Sequence, residues 1–448
     1  MISGLFSPET NNNMLRINLF VFILTAIAYL IGIYFFPFML TSRDVLHQVW
    51  VISGVVTWIL MTEAIVIAAR PSWIERVAGE PLGKLMQAHK TLGWWMVGFA
   101  FIHFFAPFVR DIITAFYPVV EVPMMEEHAI HGFWSGVWVY SHPIAGLTGI
   151  LVSLYMLSVI WRDIKHAKKK ISWPKWEKVH LMWAWMYIFL AFHALRTLKE
   201  TELMMPLGWV TIAAILGVWA SVNIIRGRKG SAMRYDGALD SIKADGGVLQ
   251  LDVKTELADT IGPGRFVYLS RPGDKEDSHP FAVAGADKKT GLLTFWIKEA
   301  GEWTKNLALM KAGDTIYVEG PWGAFFPKFI PGKTAAWVAG GAGIAPFLGW
   351  MEELKRDKEA GKPVPSITLW WSVKNRSEGG FERVETLCRE LGIDLRVHET
   401  GENHDHLEPE TVLAEHPATL AVCGRPGLTK AFKAAWKGAP ENLTSEVY

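Results

Sequence analysis

His89-Lys90-Thr91-Leu92-Gly93-Trp94-Trp95-Met96-Val97-Gly98-Phe99-Ala100-Phe101-Ile102-His103 is an apolar stretch closed at each end by histidine. A second apolar run repeats the arrangement between His180 and His193, so the gaps are 14 and 13 residues. On an α-helix these gaps rise roughly 21 and 20 Å. A hydrocarbon core is roughly 30 Å thick. Two such helices side by side place two imidazole pairs at two depths. Facing imidazoles are a ligand set for clamping a haem iron from both sides. A single histidine in an apolar helix reads as a polar residue bonded inside a bundle. Four at matched depths read as ligands, because ionisable groups within spans are costly and usually functional.

Working outward, six apolar runs fill the first 225 residues: Ile17–Phe36, Val49–Ala69, Leu92–Phe108, Ile144–Ile160, Val179–Leu195 and Leu207–Ile225. With polar ends included, each approaches the ~20 residues of a spanning helix. The first run is too long for a signal peptide's apolar segment, and no Ala-x-Ala-like site follows it. Six such runs in a water-soluble protein would leave no polar faces for solvent.

Charge orients the spans. Arg70–Lys90 carries four Lys/Arg, Arg162–Lys178 seven and Arg226–Arg234 four. The alternate loops are poor: Arg43 after the first span, Arg110 after the third, Arg196 and Lys199 after the fifth. The positive-inside rule then puts the N-terminus and everything after residue 226 in the cytoplasm. It places His89 and His180 near the cytoplasmic side, His103 and His193 near the outer side. The net charge of +1 excludes nothing by itself. The Lys168–Lys170 run reads as topological and lipid-facing, not as a nucleic-acid site.

Helical phase adds a condition. At roughly 100° per residue, positions 14 apart return to nearly one face, while positions 13 apart fall roughly 140° out of phase. His180 therefore sits near a frayed helix end, or the fifth helix tilts or carries a bulge.

Composition shifts at Arg226. Downstream, short apolar runs alternate with Gly and Pro. Val248–Val253, Phe266–Leu269, Phe281–Ala284, Leu292–Lys298 and Thr315–Glu319 read as strands of a small antiparallel barrel. From Thr334 the pattern becomes strand, glycine-rich turn and helix. Strands are expected at Ala335–Ala339, Ile367–Ser372, Asp394–His398 and Thr419–Val422, a doubly wound nucleotide-binding pattern. The turn Gly340-Gly341-Ala342-Gly343-Ile344-Ala345-Pro346 lets backbone approach a pyrophosphate. Cys423-Gly424 ends a later strand, where ligands sit in open α/β sheets. The two cysteines, Cys388 and Cys423, make neither a disulfide framework nor a zinc site.

With these motifs in place, the chain resembles the NADPH oxidase/ferric reductase superfamily over nearly its whole length. The histidine gaps match the oxidase branch. His279-Pro280-Phe281 is similar to the family's flavin motif, Gly301-Glu302-Trp303-Thr304 to its flavin pyrophosphate loop, and Glu319-Gly320-Pro321-Trp322-Gly323 to the turn closing its flavin domain. The resemblance implies a multidomain membrane protein. Residues 1–228 would form a six-helix di-haem transmembrane bundle, 229–330 an antiparallel β-barrel FAD domain, and 331–448 an α/β doubly wound NAD(P) domain. It implies that His89, His103, His180 and His193 ligate the iron of two haems b. FAD contacts fall on Arg265, Tyr268, His279, Pro280, Phe281, Ala282, Val283, Gly301, Trp303 and Thr304. Nucleotide contacts fall on Gly340, Gly341, Gly343, Ile344, Pro346, Lys374, Arg376, Cys423 and Gly424. Cys423 would lie by the reactive carbon of the nicotinamide, and Tyr448 would cover the flavin ring.

Phe281 is the candidate for flavin stacking. Thr304 would bind pyrophosphate through its hydroxyl and Trp303 through its backbone. Ala282 departs from the family's Thr or Ser, removing a hydroxyl that would face flavin N5. Arg425 replaces the usual Pro after Cys-Gly. Pro107 stands one turn after His103, where oxygen-reducing relatives place a further histidine; Arg43 and His47 are outer-side alternatives that also read as loop residues. His128, His131 and His142 read as exposed loop histidines. Trp94, Trp95, Met186 and Tyr187 are aromatic or polarisable candidates for the space between the haems, with bundle packing as the plainer reading.

The expected activity is electron transfer from cytosolic NAD(P)H through FAD and two haems b to an external acceptor in or beyond the lipid bilayer. NADPH is favoured by Lys374 and Arg376 at a strand end, with NADH also tolerated. Dioxygen giving superoxide is the first acceptor, a ferric chelate the second, and an extracytoplasmic redox protein the third. The expected place is the cytoplasmic membrane, spanned several times.

Overall fold

A computed structural model describes residues 42–116, 133–167, 178–197, 206–273, 278–376, 379–401 and 406–447. Ile17–Phe36, the loop histidines His128 and His131, Lys168–Lys170 and Tyr448 lie outside them, as do the side chains of Arg43, His47 and His142. The chain divides into two compact units, Met1–Lys229 and Gly230–Tyr448.

The first unit is helical: α1 (Ser42–Ala69), α2 (Leu82–Phe116), α3 (Phe133–Ala167), α4 (Trp183–Thr197) and α5 (Pro206–Ile225). Among the described residues, three helices are long and apolar enough to cross a membrane: Val49–Ala69, Leu82–Ile113 and Pro143–Arg162. Val210–Ile225 is a shorter apolar helix. The unit is thus a membrane unit. α1 packs on α2 and α5, and α4 packs on α3 and α5. The outward faces of α2 and α3 remain apolar, with Phe101, Phe108, Ile112, Leu147, Leu151 and Leu154 exposed. That is the pattern of helices solvated by lipid, where polarity belongs inside.

The fifth apolar run is interrupted two residues after His180, close to the helix-end alternative that its phase left open. Residues 178–181 form a helical turn, Met182 interrupts it, and α4 begins at Trp183. The Met182 N–H donates to the Val179 carbonyl three residues back at 3.2 Å. Such a tightened turn rotates the chain faster per residue than an α-helix.

The second unit opens with a closed six-stranded barrel in the order β1-β2-β5-β4-β3-β6. Its strands are β1 (Arg234–Asp245), β2 (Val248–Thr255), β3 (Phe266–Ser270), β4 (His279–Asp287), β5 (Leu292–Lys298) and β6 (Thr315–Trp322), all antiparallel to their neighbours. β1 was not expected as a strand. It buries only Gly237 and Leu239, so its sequence carries no apolar alternation; pairing with β2 and β6 defines it instead. Leu249, Leu251, Val267, Leu269, Phe295 and Val318 fill the barrel. Each such side chain contributes roughly 1.5–3 kcal/mol on burial.

A five-stranded sheet follows, ordered β11-β10-β7-β8-β9. It comprises β7 (Ala335–Gly340), β8 (Ile367–Val373), β9 (Asp394–Glu399), β10 (Thr419–Gly424) and β11 (Leu443–Val447). All its pairings are parallel. Its longer helices are α6 (Ala345–Glu359), α7 (Phe381–Leu391) and α8 (Pro426–Ala435). The chain moves from β7 outward through β8 and β9, then returns to β10 on β7's other side. The topological switch point therefore lies between the carboxyl ends of β7 and β10. Ala282 and Ala284 of β4 share one buried cluster with Trp337, Phe347 and Met351. Small side chains there let α6 approach so closely that a Cβ on Gly349 would stand 2.6 Å from the Val283 carbonyl.

Candidate functional site

In the helical unit the four histidines meet in two pairs. The His89 and His180 ring centroids are 6.0 Å apart with planes at 73°, and those of His103 and His193 are 6.3 Å apart at 86°. Two imidazoles on one metal, each bonded at ~2.0 Å with its ring centre ~1.1 Å beyond the nitrogen, would have centroids ~6.2 Å apart. Both observed separations suit that geometry.

The backbone fixes which nitrogen is free to ligate. His103 Nδ1 lies 2.9 Å from the Trp50 carbonyl, His89 Nδ1 2.9 Å from the Ala64 carbonyl and His193 Nδ1 2.7 Å from the Ala145 carbonyl. A carbonyl only accepts, so Nδ1 carries the proton and Nε2 keeps its lone pair. Metal-bound histidines use this arrangement, the second nitrogen donating to a carbonyl that sets tautomer and ring angle. Trp50 and Ala64 are 14 residues apart on α1, the same interval as His103 and His89 on the antiparallel α2. One helix is thus a template for the other.

Glycines make the approach possible. Gly54 follows Trp50 by one turn, and a Cβ there would stand 2.7 Å from His103 Cε1. Gly149 follows Ala145 by the same step, and its Cβ would stand 2.8 Å from His193 Cε1. Between the pairs in sequence, Tyr187 shows the pattern again. Its hydroxyl donates to the Ala213 carbonyl at 2.8 Å, and a Cβ on Gly217 would stand 2.0 Å from its Cζ. Tyr187 also stacks on Trp58 at 4.4 Å and lies 2.6 Å from Thr62 Oγ1. Trp94 and Trp95 are exposed on α2, 46% and 49%, so they do not join that interior cluster.

On the barrel, His279 and Phe281 converge on Trp303, at 4.5 and 5.6 Å between ring centroids. Arg271 lies 5.7 Å over the same Trp303 ring. Tyr268 is buried, opposite Pro280 on β4 and Glu319 on β6. Alternation along β4 directs Phe281 and Val283 towards the barrel core and Ala282 towards the α/β sheet. Arg265 is engaged locally: its guanidinium donates to the Gly323 carbonyl and sits 5.0 Å over Phe326. Thr304, a candidate pyrophosphate contact, lies in the first turn of the short helix Glu302–Leu307. Thr304 Oγ1 accepts from the Ala300 and Gly301 N–H groups and donates to the Gly301 carbonyl, so the hydroxyl caps its own helix.

The switch point of the sheet is built by glycines. A Cβ on Gly343 would stand 2.3 Å from the Cys423 carbonyl, and one on Gly424 3.2 Å from Gly340 Cα. Gly341, with φ +54°, faces open space, and its carbonyl accepts from Trp371 Nε1 at 3.1 Å. Ile344 and Pro346 are buried at the start of α6. The Cys423 side chain is fully buried in the sheet core. Cys388, inward on α7, is buried too; burial first, then the charge of Glu385, pushes its thiol up to about 12. Lys374 is exposed just after β8, and Arg376 is ion-paired with Glu399 at 3.3 Å.

Residues 53–191 match the family model described as "Ferric reductase like transmembrane component". A superoxide-generating NADPH oxidase heavy chain of Dictyostelium discoideum is 22% identical over 311 residues, covering 61% of this chain and 42% of that protein. NADPH oxidase 5 of Homo sapiens is 20% identical over 400 residues, covering 75% of this chain and 49% of that protein. The chain thus carries a ferric reductase-like transmembrane component and is similar, beyond it, to NADPH oxidases. A probable dihydroorotate dehydrogenase B (NAD(+)) electron transfer subunit of Methanopyrus kandleri is also similar. It is 37% identical over 200 residues, covering 38% of this chain and 74% of that protein. The chain spans under half the length of each of these two oxidases.

The histidines were legible in sequence, whereas their carbonyl and glycine partners were not. Glycine is ordinary in membrane helices, and a carbonyl leaves no trace in a side-chain pattern. Arg271 was missed as well. Its one signal is position, a cation immediately after β3 and close to Leu269, which pairs with His279. Glu399 became visible only through the β8–β9 register, which sets it opposite Val373.

Proposed function

We propose that this protein carries electrons from cytoplasmic NAD(P)H, through FAD and two haems b, to an acceptor beyond the cytoplasmic membrane. Dioxygen yielding superoxide is the first acceptor. The single observation that carries the reading is the double histidine pairing, with Nδ1 of His89, His103 and His193 engaged by backbone carbonyls. In this reading 1–228 is a six-span haem domain that includes Ile17–Phe36, 229–330 holds FAD and 331–448 holds the nucleotide.

When bound, FAD takes two electrons as hydride from nicotinamide, and haem iron accepts them singly. The chain's own part is positional. His89 with His180, and His103 with His193, would present Nε2 from opposite sides. Trp50, Ala64 and Ala145 hold rings in place through their carbonyls. Gly54 and Gly149 leave room for the imidazoles. The apolar helices exclude water, which favours neutral, ligating imidazole. Phe281, His279, Trp303 and Arg271 would shape the flavin site, and the Gly340–Gly343 turn with Cys423-Gly424 the nucleotide crevice. The charge-rich loops Arg70–Lys90 and Arg162–Lys178 would lie on the cytoplasmic side.

Ferric chelate reduction is the second reading, favoured by the match of residues 53–191 to a ferric reductase transmembrane component. Detergent-purified, haem- and FAD-loaded protein tests both. The expected result is a low-spin bis-imidazole spectrum, two haems per chain, and NADPH oxidation coupled to dismutase-sensitive superoxide. Faster turnover with ferric chelates than with oxygen selects the second acceptor. Haem binding that survives replacement of all four histidines by alanine overturns the proposal.

A further inference from the structure

The carboxyl ends of β8 and β9 carry a charged pair held in a built frame. Val373 lies opposite Glu399 in the parallel β8–β9 ladder. Beyond it, the Thr400 N–H donates to the Val373 carbonyl at 2.8 Å and the Gly401 N–H to the Lys374 carbonyl at 3.0 Å. Thr400 Oγ1 adds a second bond to Val373 at 3.1 Å. Within this frame the Glu399 carboxylate meets Arg376 twice, at Nε (3.3 Å) and at its backbone N–H (3.3 Å). Arg376 is 60% exposed and Glu399 47%. The pair therefore stands at the surface, within reach of a ligand.

Its place in the sheet gives it a task. Gly340 pairs with Ser372, one residue before Val373. β9 stands two strands from β7, ~9.6 Å across the sheet. In doubly wound folds the pyrophosphate sits at the glycine turn. The group that reads the adenosine ribose lies past the next strand: an acid for a 2′-hydroxyl, a basic residue for a 2′-phosphate. This protein places both kinds in contact. Lys374 and Arg376 alone would make a phosphate cradle, since guanidinium and ammonium pair well with phosphate oxygens. A carboxylate already bound to Arg376 competes with the phosphate and repels it.

Resting on the reading of the β7–β10 crevice as the nucleotide site, we propose that Glu399 sets the choice between NADH and NADPH. Its carboxylate accepts a hydrogen bond from the ribose 2′-hydroxyl and contends with a 2′-phosphate for Arg376. The native protein takes both nucleotides, and one side chain holds the balance.

The test uses the full-length, haem- and FAD-loaded protein with ferricyanide as electron acceptor. Glu399→Gln keeps the shape and removes the charge. It should raise the NADPH/NADH ratio of kcat/KM at least tenfold, chiefly through a lower KM for NADPH. Arg376→Gln should lower the ratio at least tenfold. Titration calorimetry gives a readout independent of turnover: Glu399→Gln should tighten 2′,5′-ADP and leave 5′-AMP within twofold. Both variants reducing ferricyanide with an unchanged ratio would overturn the assignment of Glu399. A Gly343→Ala protein with undiminished turnover on both nucleotides would overturn the crevice reading itself, and this proposal with it.

Discussion

At the residue scale, a recurring device holds a ring against a helix: a carbonyl at one position and glycine four residues later. Trp50 with Gly54 receives His103, Ala145 with Gly149 receives His193, and Ala213 with Gly217 receives Tyr187. The carbonyl sets the orientation of the ring, and the missing Cβ gives it access. Because the imidazole is fixed by backbone on a neighbouring helix, moving it needs no change to the histidine. Gly54→Val or Gly149→Val should displace one ring and cost one haem of two per chain, read as the haem-to-protein ratio after purification. The helices themselves should persist, since overpacking typically costs ~1–3 kcal/mol. An unchanged ratio in both variants would show that the contact is slack. The histidines could be read from sequence because an ionisable group in an apolar run is conspicuous. Their glycine partners could not, because the constraint belongs to a different helix.

At the scale of elements, sequence periodicity succeeded where one face is buried and failed where neither is. β5 was expected at Leu292–Lys298 and is found there, with four of its seven residues buried. β1 has two buried residues in twelve and left no such signal, although without it the barrel would not close. The break at Met182 was legible in the sequence as a phase conflict, because 13 residues do not return a helix to the same face. The parallel sheet shows an element junction under tight steric control. Gly343 lies so near the Cys423 carbonyl that no Cβ fits without shifting β7 from β10. Gly343→Ala should therefore open the crevice and lower NAD(P)H-driven ferricyanide reduction at least tenfold. Haem content, set in the other unit, should stay at the wild-type value. A loss of haem in parallel would mean that the variant perturbs far more than the strand junction.

At the scale of the whole molecule, the change of composition at Arg226 falls close to the division between units at Lys229 and Gly230. The reason is physical. Lipid asks helices to bury their backbone and expose apolar side chains, while water asks barrel and sheet to hide them, so two solvents write two grammars into one chain. What composition could not convey is whether the second unit is self-sufficient. Its structure argues that it is: a filled barrel, a sheet covered on both faces and a cluster joining them all lie within Gly230–Tyr448. Residues 230–448 produced without the helices should then fold, bind FAD and reduce ferricyanide with NAD(P)H at a rate within tenfold of the full chain. They should contain no haem, since all four candidate ligands lie upstream. Enclosed in vesicles with an outside ferric chelate, the full chain should reduce that chelate using NAD(P)H trapped inside, and the fragment should not. Outside reduction by the fragment would place the transmembrane path somewhere other than the histidine pairs. A fragment that folds yet shows no NAD(P)H–ferricyanide activity would mean that the flavin site needs the helices to be complete.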